Sequence, residues 1–385
     1  MVDSALPITE KPIELDTVLV KVASRCNINC HYCYVYHLGD DNWSRIDKLM
    51  TFETMDAVSK SLGNLALKQN RAFCVVIHGG EPLLLGYKRL RYFLSKLRGK
   101  LPKHYPISIQ SNGVLITEEI LDLCSEFFTS IAVSIDGPEY IHDRFRKDHK
   151  GNGTFQNVIT GIEKLQSHSD SKFLFAGVLA VIDPKTDPAE VYKFFKEISP
   201  PSIDFLHRDG NHTNLPPGKS SVESTEYGSW MVGLMDAYLK DSDPVPIRVL
   251  DDMLKVLLGG KVSKEGIGLT DFGIVIIDTD GTLTKNDTLK SSYNGADRFA
   301  KTWTIQQHQL TELFATPEFR KYYEMQRPSA PKCIKCPELN LCGGGMVVHR
   351  WKEDNGYNNP TIFCADQLYL IRNMRARLEE YELSA

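Results

Sequence analysis

The 385-residue chain holds no run of about 18 or more apolar residues, the length a membrane-crossing helix needs, so no span is expected. Met1-Val2-Asp3-Ser4 lacks a basic region followed by an apolar run, so a secretory signal is not expected either. Neither charge sign dominates: 45 basic and 49 acidic residues leave a net charge of −4, which gives no electrostatic case for a nucleic-acid partner. Internal repeats, heptads and low-complexity tracts are missing, which excludes solenoids and coiled coils. Cysteine is not scarce. Nine are present, and all but Cys74 and Cys124 gather in two clusters. That usage suits metal ligation in a reducing cytoplasm better than a disulfide framework, and cytoplasmic localisation is the expectation. Cys74 and Cys124 stand alone in apolar contexts and read as core residues.

The first cluster, Cys26-Asn-Ile-Asn-Cys30-His-Tyr-Cys33-Tyr34, follows the apolar run Thr17 to Ala23, which reads as a buried strand. Three thiolates there can hold three irons of an iron–sulfur cube and leave the fourth open for a ligand. A zinc knuckle is the plainer alternative, but the CxxxC interval fits its paired CxxC ligands poorly. A second apolar run, Ala72 to Ile77, ends in His78-Gly79-Gly80-Glu81-Pro82. The two glycines let backbone approach a ligand closely, and the carboxylate can accept from a ligand ammonium.

The CxxxCxxC-plus-aromatic run followed by GGE resembles the signature of radical S-adenosylmethionine (SAM) enzymes. The resemblance implies that Cys26, Cys30 and Cys33 bind a 4Fe–4S cluster whose open iron chelates SAM. Reductive cleavage then gives methionine and a 5′-deoxyadenosyl radical that takes hydrogen from substrate. It also implies that Glu81 meets the SAM amino group, and that Ser134 and Arg146 hold its carboxylate, for which a bidentate guanidinium is suited. Tyr34, Gly79, Gly80 and Asn112 complete the expected cofactor contacts. A flavodoxin or ferredoxin is the implied electron donor.

Apolar patterning continues the alternation. Helices are expected over 52–67, 85–97, 117–127, 154–167 and 188–198, and strands over 106–110, 130–135, 173–181 and 202–206. Strand–helix alternation predicts a parallel sheet with functional residues at the strands' carboxyl ends. About six such units suggest a partial (β/α)6 TIM-like barrel. Tyr34 to Trp43 reads as a loop, and 209–221, rich in Pro, Gly and polar residues, as a linker. The expected division is a barrel over 1–208, a linker and helical bridge over 209–270, and a smaller iron–sulfur domain over 271–385. Only 25 residues precede Cys26, so recognition of a substrate leader is expected from the middle helices or another protein.

The second cluster, Cys333-x2-Cys336-x5-Cys342 with Cys364 downstream, fits either structural zinc or a fully ligated cube. It resembles the SPASM extension of many radical SAM enzymes, which implies a cube. That extension binds two auxiliary clusters, but Asn286 and Met346 stand where two ligands of one of them belong. The expectation is therefore two 4Fe–4S clusters in all. Cys33-Tyr-Val-Tyr, Asp287-Thr-Leu-Lys290, Cys342-Gly-Gly-Gly, His349-Arg350 and Cys364-Ala-Asp366 further resemble maturases that form three-residue cyclophanes in ribosomal peptides. A precursor peptide is thus the implied substrate, with a side-chain Cβ joined to an aromatic ring. Sulfatase maturation by formylglycine formation, thioether formation and a non-catalytic zinc scaffold are the alternatives. Asp287 is the candidate base for the proton leaving the ring, the other reading being a turn cap.

Overall fold

The computed structural model describes residues 13–38 and 40–384; Met1 to Ser4, read above for the missing signal, and Gly39 lie outside them. Its strands are β1 (Thr17–Ala23), β2 (Ile28–Cys30), β3 (Cys74–Gly79), β4 (Ile107–Ser111), β5 (Thr129–Ser134), β6 (Arg146–Asp148), β7 (Phe175–Val181), β8 (Ile203–Leu206), β9 (Ile274–Ile277) and β10 (Leu283–Thr284). One sheet takes the order β10-β9-β1-β3-β4-β5-β7-β8, parallel throughout except for β10. Six strands from β1 to β8, each followed by helical chain, make the expected partial barrel.

Alternation along each strand decides which side faces the helices. On β1, Val18, Val20 and Val22 are fully buried on one face. Lys21 therefore points to the other face, inside the barrel. The same parity sends His78, Gln110, Ser134, Leu179 and Val181 from β3, β4, β5 and β7 into the interior cavity. The helices over Phe52–Ala66 and Glu118–Glu126 are N-capped by Thr51 and Thr117, whose hydroxyls accept from the third amide onward. Cys124 is fully buried in the second of these, as expected of a core residue, whereas Cys74 is only half-buried at the start of β3.

Four features differ from the sequence expectation. Tyr34–His37 is a helical turn, because the Cys33 carbonyl accepts from the amides of Tyr36 and His37. Strand β7 begins at Phe175, after a short helix Ser171–Leu174; Phe173 faces solvent there and has no sheet partner. The polar stretch after β8 is no loose linker. Asn211 donates to the Ser291 carbonyl (2.9 Å), His212 pairs with the Pro360 carbonyl (2.8 Å), and Lys219 forms a buried ion pair with Asp366 (2.6 Å). Its polar composition reflects bonds to the C-terminal part of the chain. Finally, β9 pairs in parallel with β1, so the sheet runs on past residue 271. Each of Ile274, Val275, Ile276 and Ile277 is buried, which stabilises by roughly 1.5–3 kcal/mol per side chain.

Candidate active site

A cavity of about 380 Å³ opens at the carboxyl ends of the strands, within the size range of small-ligand sites. Cys26, Cys30 and Cys33 line it together. Burial pushes the Cys26 thiol up to about 12 and Cys33 up to about 11, and raises Cys30 too; the three also repel one another as thiolates. Binding a cluster there must therefore displace protons. Among the described residues no group of three or more His, Cys, Asp or Glu closes on a single metal ion.

Arg146 is brought to this loop by a short antiparallel ladder in which it stands opposite Cys30. It is 6 % exposed and lines the cavity, yet its Nε has no partner. Its Nη1 donates to the Tyr32 hydroxyl (2.8 Å), which donates to Asp136 Oδ2 (2.5 Å). Tyr32 was missed from sequence, although its place inside the cysteine run was a signal. An unpaired buried guanidinium nitrogen beside three thiols fits a carboxylate-bearing ligand at the cluster. Ser134 and Asn112 line the same wall. Ser134 accepts from Gln110 Nε2 (2.9 Å), and Asn112 Nδ2 lies 3.6 Å from Cys26 Sγ.

Glu81 is placed differently from the expectation that its carboxylate meets a ligand ammonium. It is fully buried behind the lining and accepts from the amides of Asn112 (2.8 Å) and Leu83 (3.0 Å) and from the Ser111 hydroxyl (2.9 Å). Burial nevertheless raises it to about 7. Its bonds tie the end of β3 to the end of β4, leaving Gly79 and Gly80 as the part of this motif that lines the cavity. A Cβ at Gly80 would collide with the Tyr36 hydroxyl and the Arg25 carbonyl, so only glycine allows that close approach.

Cys333, Cys336, Cys342 and Cys364 also come together: thiolates at Cys364, Cys333 and Cys336 each raise Cys342, which burial first pushes up to about 12. The loop is shaped by three successive left-handed glycines, Gly343 to Gly345 (φ 63°, 81° and 66°). Arg350 fills its centre, donating to the carbonyls of Gly344, Gly345, Met325 and Gln326. Cys342 lines the same cavity as the first cluster's cysteines. Where another cluster would need cysteines, Asn286 Nδ2 instead donates to Glu265 Oε2 (2.6 Å), and Gly266 packs against Met346.

Asp287 is 2 % exposed and is not among the cavity-lining residues. Lys21 Nζ lies 2.6 Å from its Oδ1 and 2.5 Å from its Oδ2, and Lys290 Nζ lies 3.2 Å from Oδ1. Burial alone would raise its pKa, but the two lysines hold it well below the usual carboxylate range. The turn cap is its neighbour: Asn286 Oδ1 accepts from the Thr288 amide (3.0 Å). Asp287 is thus the centre of a buried ion-pair network, and Tyr34 donates to it weakly from the cavity wall (3.5 Å). Lys21 was not singled out from sequence, although a lysine inside the apolar run of β1 was an available signal, and Lys290 entered only as the end of the Asp287-Thr-Leu-Lys290 run.

Fold and site together define a partial α/β barrel that presents a three-cysteine loop, a guanidinium and one cysteine of a second set to one cavity. Residues 20–195 match the radical SAM superfamily model. The cysteine-type anaerobic sulfatase-maturating enzyme of Clostridium perfringens is 28 % identical over 357 residues, covering 90 % of this chain and 93 % of that protein. The serine-type anaerobic sulfatase-maturating enzyme of Bacteroides thetaiotaomicron is 30 % identical, covering 87 % and 83 %. The solved structure of native anSMEcpe with bound AdoMet superposes with a TM-score of 0.80 at 25 % identity, over 95 % of this chain and 98 % of that one. Streptococcus suis SuiB bound to its precursor peptide SuiA shares the fold at 12 % identity (TM-score 0.60, 90 % and 74 % covered). The chain therefore belongs to the radical SAM superfamily, in the family that includes the anaerobic sulfatase-maturating enzymes. It is a radical SAM enzyme, with SAM and 4Fe–4S chemistry as its cofactors. Among the described residues no helix is long and apolar enough to cross a membrane.

Proposed function

We propose that the enzyme matures a ribosomally made peptide by cutting a side-chain Cβ–H bond and joining that carbon to an aromatic ring of the same peptide. The observation that carries this reading is the shared cavity: Cys342 faces the same space as Cys26, Cys30 and Cys33. A substrate lying there would sit between both thiolate sets. Cluster and SAM, when bound, supply the hydrogen-abstracting radical. Arg146, Ser134 and Asn112 would hold the methionyl end of SAM, and the Gly79–Gly80 backbone would give it close approach. Cys333, Cys336, Cys342 and Cys364 would hold one auxiliary cluster, since the Glu265–Asn286 bond occupies chain positions a second would need. Leu179, Val181, Ile182 and Phe205 form an apolar wall that keeps water from a reactive carbon. Rearomatisation releases one proton and one electron. A small electron-transfer protein such as flavodoxin or ferredoxin would provide the initial electron, in keeping with a cytoplasmic enzyme.

For Asp287 the geometry favours a positioning role over that of base. To take a proton it would have to give up at least one lysine, whereas in place it fixes Tyr34 at the cavity wall.

Similarity to the sulfatase-maturating relatives favours a second reading, formylglycine formation on a sulfatase. A ring-deuterated peptide encoded beside the gene separates the two. Cross-linking removes two hydrogens, one of them ring deuterium. Oxidation of a Cys or Ser side chain with every ring deuterium retained would establish the second reading.

A further inference from the structure

The cavity wall carries a second guanidinium besides Arg146. Arg208, two residues past β8, is 5 % exposed and lines the cavity. Its Nε and Nη2, two donors on one edge of the guanidinium plane, are buried without a hydrogen-bond partner. Aromatic rings hold the group in place: its Cζ lies 4.1 Å from the Phe145 ring centroid and 5.7 Å from that of Tyr32. Tyr32 also accepts from Arg146 through its hydroxyl, so the same ring is neighbour to both guanidinium groups.

The charged groups nearby do not fill that edge. Asp183 Oδ2 lies 3.8 Å from Arg208 Nη2, beyond hydrogen-bond reach. That oxygen already accepts from Arg144 Nη1 (2.9 Å), and Oδ1 accepts from the Lys185 amide (3.2 Å). Asp136 feels the charge of both Arg146 and Arg208, but its oxygens accept from the Tyr32 hydroxyl and the Val181 amide. Asp209 also lines the cavity; burial and the charges of Glu265 and Asp287 push it up to about 7. No ion pair joins it to Arg208 among the described residues. Arg144, Arg146 and Arg208 thus pair only with Asp136 and Asp183, three positive charges to two negative. SAM brings a single carboxylate, matched to Arg146, and two cations of its own, the ammonium and the sulfonium. Buried donors left unmade are costly, and a planar acceptor with two oxygens meets such an edge best.

We propose that Arg208 recognises a carboxylate of the substrate peptide through its Nε–Nη2 edge. The assignment rests on the peptide-maturase reading and adds a sequence preference to it. An Asp or Glu side chain and the peptide's C-terminal carboxylate share this chemistry, and the test tells them apart.

The test uses enzyme reconstituted anaerobically with its clusters and SAM, and N-acetylated synthetic peptides titrated by calorimetry. The first has a Trp-Ser-Glu core and an amidated C-terminus. The second has Trp-Ser-Gln and the same amide, and the third Trp-Ser-Gln with a free C-terminal carboxylate. The first or the third should bind about 10- to 100-fold more tightly than the second, the worth of a charge-assisted hydrogen bond, and which of them does so identifies the source. Arg208→Met should bring that ratio close to one, while affinity for SAM alone should not change. Arg208→Lys should keep only part of the ratio, because a point charge cannot pair both oxygens. Equal binding of all three peptides, or a ratio that survives Arg208→Met, would remove the subsite and leave the maturase reading standing. Weaker SAM binding by Arg208→Met would overturn the proposal by giving the edge to SAM. If none of the peptides binds, the maturase reading falls and the subsite with it.

Discussion

Asp287→Asn is the most informative single substitution, because it separates an ion-pair hub from a proton acceptor. It removes one negative charge from between Lys21 and Lys290, both almost wholly buried. Leaving a buried charge unpaired costs about 3–5 kcal/mol. Lys21 keeps Asp278 at 3.6 Å, and Lys290 keeps Asp40 and Asp297, each at 3.6 Å, so about 3 kcal/mol is the working figure, near the lower end of that range. The pH dependence has a definite sign. Asp287 in the fold titrates below its unfolded value of roughly 3.9, so its stabilisation is complete above that value and disappears as pH falls through the folded one. The stability gap between wild type and variant should therefore be flat from about pH 6 to 8 and close only in acid. Guanidinium unfolding of the cluster-free protein at several pH values measures it. A second substitution, Lys21→Met, should restore part of the loss by removing the orphaned charge. A gap under about 0.5 kcal/mol, the ordinary scatter of surface substitutions, would refute the ion-pair account and return Asp287 to candidacy as a base.

Arg146→Lys should weaken SAM binding about 10- to 100-fold by isothermal titration, because a point charge cannot replace a planar fork; unchanged affinity would remove Arg146 from the site. Iron analysis after reconstitution should find about eight irons per chain in wild type and about four in either Cys30→Ala or Cys333→Ala, as two cubes require. SAM cleavage should vanish in the first of these variants, and twelve irons in wild type would mean that Asn286 and Met346 had been misread. Gly80→Ala drives a methyl into the Tyr36 hydroxyl and the Arg25 carbonyl, so it should destabilise by about 1–3 kcal/mol and lower iron uptake at the first loop; wild-type iron content would show that the backbone can yield there.

Much of the site could be read from the sequence because it is encoded locally. Three thiols on one short loop share a face however the barrel is finished, and strand–helix alternation by itself dictates a parallel sheet with that loop at its carboxyl edge. The glycine pair after β3 and the four later cysteines were visible for the same reason. What stayed hidden depends on contacts between segments far apart in the chain. The β2–β6 ladder sets Arg146 against Cys30, and β9 on β1 brings Asp287 to Lys21. Asp287 stood as either a candidate base or a turn cap because a carboxylate's proton affinity is set by its neighbours, and spacing says nothing of the two lysines that the fold delivers. Glu81 read as a ligand contact, yet the close approach of β4 filled its oxygens with protein donors. The same holds for Asp209 and Glu265: neither is singled out in the sequence, and only the tertiary structure brings both to the wall of one cavity.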